Sequence, residues 1–191
     1  MTKGRLEAFS DGVIAIIITI MVLELHAPEA ATVQALAADG PVFLSYLISF
    51  VYVGIYWNNH HHMLHASKHV NGAVLWTNLH LLFWLSLIPF VTRWVGAYPC
   101  ESVPAAAYGV DLFLCGFSWL FLQRSLAALN PELAAVTTND WKGTTSAIAY
   151  LAAIGLAFVS AWISYAIYVA VAILWFVPDR RFAHAATHVK E

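Results

Sequence analysis

The spacing of charged residues limits the possible folds of this chain more than any other feature. Asp, Glu, Lys and Arg make up 10% of its 191 residues, whereas a soluble domain carries about 25%. Five stretches contain none of them: 12–23, 40–67, 69–92, 112–123 and 143–178. A bilayer core of about 30 Å is crossed by about 20 apolar residues. The pattern therefore predicts an all-α, polytopic membrane protein and argues against a water-soluble enzyme.

Several other classes are excluded by composition and by missing motifs. The net charge is −2 and no basic stripe is present, which argues against a nucleic-acid partner. The sequence contains no nucleophile elbow, phosphate loop, HExxH motif or paired intramembrane carboxylates. Its two cysteines provide no disulfide framework. We therefore predict a protein that is not an enzyme and needs no cofactor or metal.

Six membrane spans are predicted within a single domain covering residues 1–191. Their approximate bounds are 6–25, 41–64, 73–94, 104–126, 143–159 and 161–178. Pro89 should kink the third span. One helix over 143–178 would be about 54 Å long, more than a bilayer with its head groups. Two helices joined near Ser160 fit better, and five spans in total is the alternative.

The positive residues predict the orientation of these spans, because cytoplasmic loops of membrane proteins are enriched in Lys and Arg. With six spans and the N-terminus inside, Arg93 alone lies outside. The other eight lie in cytoplasmic segments: Lys3, Arg5, Lys68, Arg124, Lys142, Arg180, Arg181 and Lys190. Both termini are therefore predicted to be cytoplasmic, in a cell membrane.

The first predicted helix contains an acidic residue, Asp11, a turn or two inside the membrane boundary. A carboxylate there is costly without a partner or water, and Arg5 lies on a different face of the same helix. Partners must come from other helices or subunits, and the candidates are Asn58, His61, His65, Asn78 and His80. These polar groups could anchor the packing of the helix or contact a permeating species, and both interpretations stay open.

Beyond Asp11 the helix is aliphatic on all sides. Ile16, Ile20 and Leu23 share one face, which Thr19 borders. Such a row is typical of a lipid-facing or core surface. Alternatively it could line a pore, because hydrophobic constrictions can gate ions by dewetting. Glu24 would then attract cations to an external mouth.

These residues carry a resemblance to a known family. The segment Arg5-x-x-x-Phe9-Ser10-Asp11 resembles the R-x-x-x-F-S-D signature of the endolysosomal potassium channels and their bacterial homologues. The continuation Gly12-Val13, Ala15-Ile16, Thr19 and Leu23-Glu24-Leu25, with Pro28 beyond, is similar to the bacterial members. The match is dense over about 24 residues, and the six predicted spans are compatible with it.

The resemblance implies a potassium-permeable channel without a T-V-G-Y-G filter, and the animal branch also passes protons. It implies a homotetramer in the bacterial inner membrane, with the first helix of each chain lining the pore. The constriction would be Ile16, with further rings at Ile20 and Leu23. Thr19 has been linked to selectivity, and Ala15 replaces a serine of the animal branch.

The resemblance also implies that the motif residues anchor the pore helix by hydrogen bonds. We predict that this anchor consists of six residues, to be tested against the tertiary structure: Arg5, Phe9, Ser10, Asp11, His61 and Asn78.

Two further clusters complete the sequence-based predictions. The histidines at 60, 61, 62, 65 and 69 include i, i+4 pairs that permit zinc or haem binding. A position at the cytoplasmic interface, with some of them near Asp11, is the simpler interpretation. Arg93 and Asp111 are predicted to form an ion pair near the outer leaflet.

Two rival functions remain. One is a proton-coupled secondary transporter, with Asp11 and the histidines as the relay. The other is a haem-binding membrane oxidoreductase with His61, His65 or His80 as ligands.

Overall fold

The computed structural model describes residues 2–131, 133 and 140–176, and all of its elements there are helical. Eight helices follow in order: α1 Lys3–Leu23, α2 Val33–Ala38, α3 Gly40–Ala66, α4 Gly72–Leu85, α5 Ile88–Ala97, α6 Ser102–Leu129, α7 Trp141–Leu156 and α8 Ala161–Phe176. The predicted all-α class is confirmed.

Four helical segments in the described ranges are long and apolar enough to cross a membrane. They are α1, α3, α6 and the combined α4–α5 segment Gly72–Ala97. Helices α7 and α8 have 16 residues each, or about 24 Å, and form a hairpin with its turn at 157–160. The turn near Ser160 agrees with the sequence prediction, while the count of six spans stays a prediction.

The third predicted span is interrupted just before Pro89. Helix α4 ends at Leu85, and α5 begins at Ile88 with Pro89 in its first turn. Proline has no amide hydrogen to donate to the carbonyl four residues earlier. The structure also places a short helix, α2, between the first two predicted spans. The Thr32 side chain caps α2 by accepting a hydrogen bond from the Ala35 amide.

The interior has two main parts. An aliphatic core joins α1, α3, α4 and α6 through residues such as Ile14, Val53, Leu81 and Leu122. A tyrosine-rich core lies between α3, α5, α6, α7 and α8. In it the Tyr52 hydroxyl donates to the Tyr168 carbonyl oxygen, and the Tyr168 hydroxyl donates to the Ala105 carbonyl oxygen at 3.0 Å.

Hydrogen bonds of the Asn130 side chain hold the α3–α4 connection against the end of α6. The Asn130 side-chain oxygen accepts from the amides of Lys68 at 2.7 Å and His69 at 2.9 Å. The Asn130 side-chain nitrogen donates to the His69 carbonyl oxygen at 3.1 Å. Nothing in the local sequence signals these distant partners of Asn130.

The predicted pair between Arg93 and Asp111 is wrong. Arg93 is exposed on α5 and pairs instead with Glu24. Asp111 is buried on α6, and neither carboxylate oxygen has a hydrogen-bond partner within the described ranges. Arg93 faces the surface of the protein and Asp111 faces its interior. Sequence spacing cannot show this difference.

The predicted cytoplasmic tail lies outside the described residues. This includes Arg180, Arg181 and Lys190, and also the predicted end of the last span at 178.

Candidate functional site

Helix α1 has two distinct faces. The buried face carries Leu6, Ser10, Ile14, Ile17 and Met21, at intervals of three or four residues, and it packs against α3, α4 and α5. A second stripe runs along the whole helix on the opposite side and is exposed. It contains Arg5, Ala8, Phe9, Gly12, Ala15, Ile16, Thr19, Ile20, Val22 and Leu23.

The apolar row singled out in the sequence lies on the exposed stripe. Ile16 is 58% exposed, Ile20 42% and Leu23 75%. Large apolar side chains rarely form a continuous exposed row in a protein surrounded by water. The row must therefore contact lipid, another chain or a pore lumen.

Thr19 lies on the same stripe. Its hydroxyl donates to the Ile16 carbonyl oxygen at 2.9 Å, one turn back on its own helix. The hydroxyl therefore stays on the exposed stripe, and within the described ranges it makes no hydrogen bond to another helix.

The N-terminal half of α1 is attached to the bundle by a buried series of hydrogen bonds. The Asn78 side-chain nitrogen on α4 donates to the Ser10 hydroxyl oxygen at 3.0 Å, and that hydroxyl donates to the Leu6 carbonyl oxygen at 2.8 Å. The Asn78 side-chain oxygen lies 2.7 Å from the Nε2 atom of His60 on α3. All three side chains are at most 1% exposed, so these hydrogen bonds connect three helices inside the bundle.

His60 therefore occupies the place that the sequence analysis gave to His61. His61 is exposed, and its ring stacks on that of His65 with centroids 6.0 Å apart. Neighbouring residues on a helix point about 100° apart. One residue faces the bundle, and the next faces outward.

Asp11 is bound by a group that the sequence analysis did not consider. The indole nitrogen of Trp57 on α3 donates to one Asp11 carboxylate oxygen at 3.0 Å. An indole N–H is a donor without an acceptor, so it suits a carboxylate at this depth.

The remaining motif residues lie on the exposed side of α1. Arg5 and Phe9 are exposed, and within the described ranges the Arg5 side chain makes no ion pair or hydrogen bond. Nearby, Lys3 donates to the His65 carbonyl oxygen at 3.0 Å. This bond ties the start of α1 to the end of α3.

The C-terminal end of α1 is attached by an ion pair. The Arg93 Nε atom lies 3.2 Å from a Glu24 carboxylate oxygen. Glu24 follows directly after α1, and Arg93 belongs to α5. Both side chains are partly exposed, so the pair sits at the surface beside Leu23.

The histidine cluster has no metal-site geometry in the part of the chain that the structure describes. No group of three or more His, Cys, Asp or Glu side chains there could hold a metal ion. His80 lies apart from the cluster, where its ring accepts a hydrogen bond from the Trp84 indole at 3.2 Å.

Comparison with known proteins decides the family. The family model described as "Endosomal/lysosomal potassium channel TMEM175" matches residues 5–89. A protein of a Chryseobacterium species, named a potassium channel, is 47% identical over 95% of this chain and 96% of its own length. The chain belongs to the TMEM175 family. It is a prokaryotic member of this ion-channel family and not an enzyme.

Other TMEM175 relatives extend this result. A potassium channel of Streptomyces collinus is 32% identical over 83% of this chain and 84% of its own length. The human protein, named an endosomal/lysosomal proton channel, is 38% identical over 44% of this chain and 19% of its own length.

A solved structure supports the fold. The crystal structure of a lysosomal potassium-selective channel TMEM175 homologue from Chamaesiphon minutus has a TM-score of 0.81 and 30% identity. The match covers 91% of this chain and 95% of that chain.

Proposed function

We propose that this TMEM175 family member is a homotetrameric, potassium-permeable cation channel of the bacterial inner membrane. Each chain contributes six spans, both termini face the cytoplasm, and four copies of α1 surround the pore. The observation that carries this proposal is the two-sided character of α1. One face is fastened to its own bundle, and the other is an exposed apolar stripe with no partner within the described chain.

In the proposed pore, Ile16, Ile20 and Leu23 form three stacked apolar rings. A hydrated cation must lose water to pass them, and this loss is the barrier. Thr19 supplies the polar group nearest to the rings, and Glu24 places negative charge at the outer mouth. The chain has no T-V-G-Y-G segment, so the rings themselves are proposed to set the barrier. The channel is proposed to need no cofactor, and potassium is the ion that permeates it.

The anchor residues hold this helix in position. The Ser10–Asn78–His60 chain fastens the inner half of α1, and Trp57 fixes Asp11. Arg5 and Phe9 lie on the stripe that faces the neighbouring copies in the proposed tetramer.

A polar substitution in the narrowest ring tests the constriction. Ile16→Asn should raise potassium flux into liposomes, because an amide side chain keeps water in the ring. The matched control is Ile173→Asn on α8, a residue of similar exposure remote from α1, which should leave the flux unchanged. Equal flux in the wild type and Ile16→Asn would remove Ile16 from the constriction.

Protons are the second candidate permeant ion, because the human relative is named a proton channel. Flux down a potassium gradient without a pH gradient separates a potassium pathway from a proton pathway and from the rival proton-coupled transporter. Potassium flux under these conditions supports the proposal, and its absence would favour the rivals.

A further inference from the structure

A large cavity lies within each chain, away from α1. Its volume is about 630 Å³, and its walls come from α3, α6, α7, α8 and the residue just before α7, Asp140. No residue of α1, α4 or α5 lines it. The volume falls within the range of about 300–1,000 Å³ that is typical of ligand pockets.

The lining changes from apolar to polar along the cavity. Phe113, Phe117 and Leu151 line the part toward the membrane centre. Arg124 and Thr144 line the part toward the end of α6 and the start of α7. A molecule that fills this space must itself be amphipathic.

One polar group at this end is buried without a partner. Gln123 is 3% exposed and lines the cavity, and its side-chain oxygen accepts no hydrogen bond from any described residue. Buried amides are normally satisfied by protein or by another bound group. The unpaired Gln123 oxygen can therefore accept a hydrogen bond from a donor group on a bound ligand.

The polar end lies at the depth of lipid head groups. Helix α6 has 28 residues, or about 42 Å, and the hydrocarbon core is about 30 Å thick. Arg124 is five residues before the last residue of α6, Leu129, and so about 7.5 Å from the helix end. This places its guanidinium at the boundary between hydrocarbon and head groups.

Among the described residues at this end, Arg124 and Lys142 are positive and the Asp140 carboxylate is negative, so the sum is one positive charge, which favours an anion. Arg124 is exposed at the cavity wall. The carboxylate of Asp140, which also lines the cavity, accepts a hydrogen bond from the Gly143 amide at 3.0 Å as the cap of α7. Lys142 adds positive charge nearby, with its Nζ atom 5.7 Å from the centre of the Trp175 ring.

We propose that this cavity binds a phospholipid of the phosphatidylglycerol class from the cytoplasmic leaflet. One acyl chain lies along Phe113, Phe117 and Leu151. The phosphate meets Arg124, since a guanidinium binds phosphate through paired donors. A glycerol hydroxyl of the head group donates to the free oxygen of Gln123, which a phosphate alone could not do. The site is separate from the proposed pore and does not depend on it.

Native mass spectrometry of the full-length protein, reconstituted with phosphatidylglycerol or with phosphatidylcholine and then released, tests the proposal. The wild type should retain one phosphatidylglycerol per chain and little phosphatidylcholine. Ala147→Phe, which fills the cavity from α7, should lose the lipid. Ala152→Phe, an exposed residue on the same helix outside the cavity lining, should behave like the wild type.

A head-group variant keeps the test decisive if Ala147→Phe does not assemble. Arg124→Gln alters an exposed side chain and should weaken retention about fivefold. Arg124→Lys keeps the charge but loses the paired donors, so its retention should fall between those of the wild type and Arg124→Gln. Unchanged retention in Arg124→Gln overturns the proposal. So does equal retention of both lipids, or retention by a folded Ala147→Phe protein. A free phosphate site would instead give phosphate adducts without lipid, which also overturns it.

Discussion

At the residue scale, the Asn78 side chain joins α1 to the rest of the bundle. It is fully buried and bonds to both Ser10 and His60. Helix association in membranes depends on packing and such interhelical hydrogen bonds, because lipid supplies no hydrophobic drive between helices. One side chain therefore positions three helices at once.

Replacing Asn78 should destabilise the protein. In Asn78→Leu the His60 ring loses its partner inside the bundle, and leaving a buried polar group unsatisfied costs about 1–3 kcal/mol. The measurement is thermal unfolding of the purified protein, followed by tryptophan fluorescence. The control is Thr77→Val, because Thr77 bonds only to carbonyl oxygens of its own helix. A melting temperature for Asn78→Leu equal to that of the control would contradict the role.

The Glu24–Arg93 ion pair should affect conduction more than stability. Surface ion pairs contribute only about 0–1 kcal/mol to stability. In the proposed channel, Arg93 offsets the charge of Glu24 at the mouth. Arg93→Gln should raise potassium flux at low ionic strength, and Glu24→Gln should lower it. Both differences should vanish near 1 M salt, where the screening length is about 3 Å. A salt-independent change in flux would count against an electrostatic effect.

At the element scale, α3 and α5 approach each other closely at Gly96. A Cβ atom built on Gly96 would lie 2.8 Å from the Ser45 hydroxyl oxygen and 3.1 Å from the Val42 Cα atom. The approach of the two backbones therefore depends on the missing side chain. Small residues serve membrane helix packing in this way generally.

Gly96→Ala should lower stability by about 1–3 kcal/mol, since the backbone of α3 must shift to accommodate the methyl group. Gly155→Ala on α7 is the matched control. No atom lies within 4 Å of its added Cβ, and alanine favours the helix by up to about 1 kcal/mol. The two variants should therefore move the melting temperature in opposite directions. A shift of the same sign in both would refute the packing argument.

At the scale of the whole molecule, the distribution of positive residues predicts one orientation in the membrane. The connection between α5 and α6 should then face the outside. It contains Cys100, which is exposed, whereas Cys115 is buried.

A membrane-impermeant maleimide should therefore label Cys100 in intact cells. Cys100→Ser should abolish the labelling, because Cys115 is inaccessible. In that background, His69→Cys in the α3–α4 connection should react only after the membrane is permeabilised. Labelling of position 69 in intact cells would reverse the orientation.

Much of the fold could be predicted because membrane insertion imposes strict local rules. Charge-free length predicts each span, and Pro89 must interrupt the backbone hydrogen bonds of the third. The turn near Ser160 follows from the excess length of the last stretch. The apolar row Ile16, Ile20 and Leu23 could be recognised because helical periodicity places these residues on one face.

Periodicity alone could not show whether that row faces its own bundle or points away from it. The tertiary structure decided this, because Leu6, Ser10, Ile14, Ile17 and Met21 occupy the packed face of α1. It also chose His60 over His61, Trp57 as the partner of Asp11, and Glu24 as the partner of Arg93. These contacts join residues that are 18 to 69 positions apart in the sequence. The local sequence thus determined where the long apolar helices lie along the chain, and the packing of those helices determined which side chains meet.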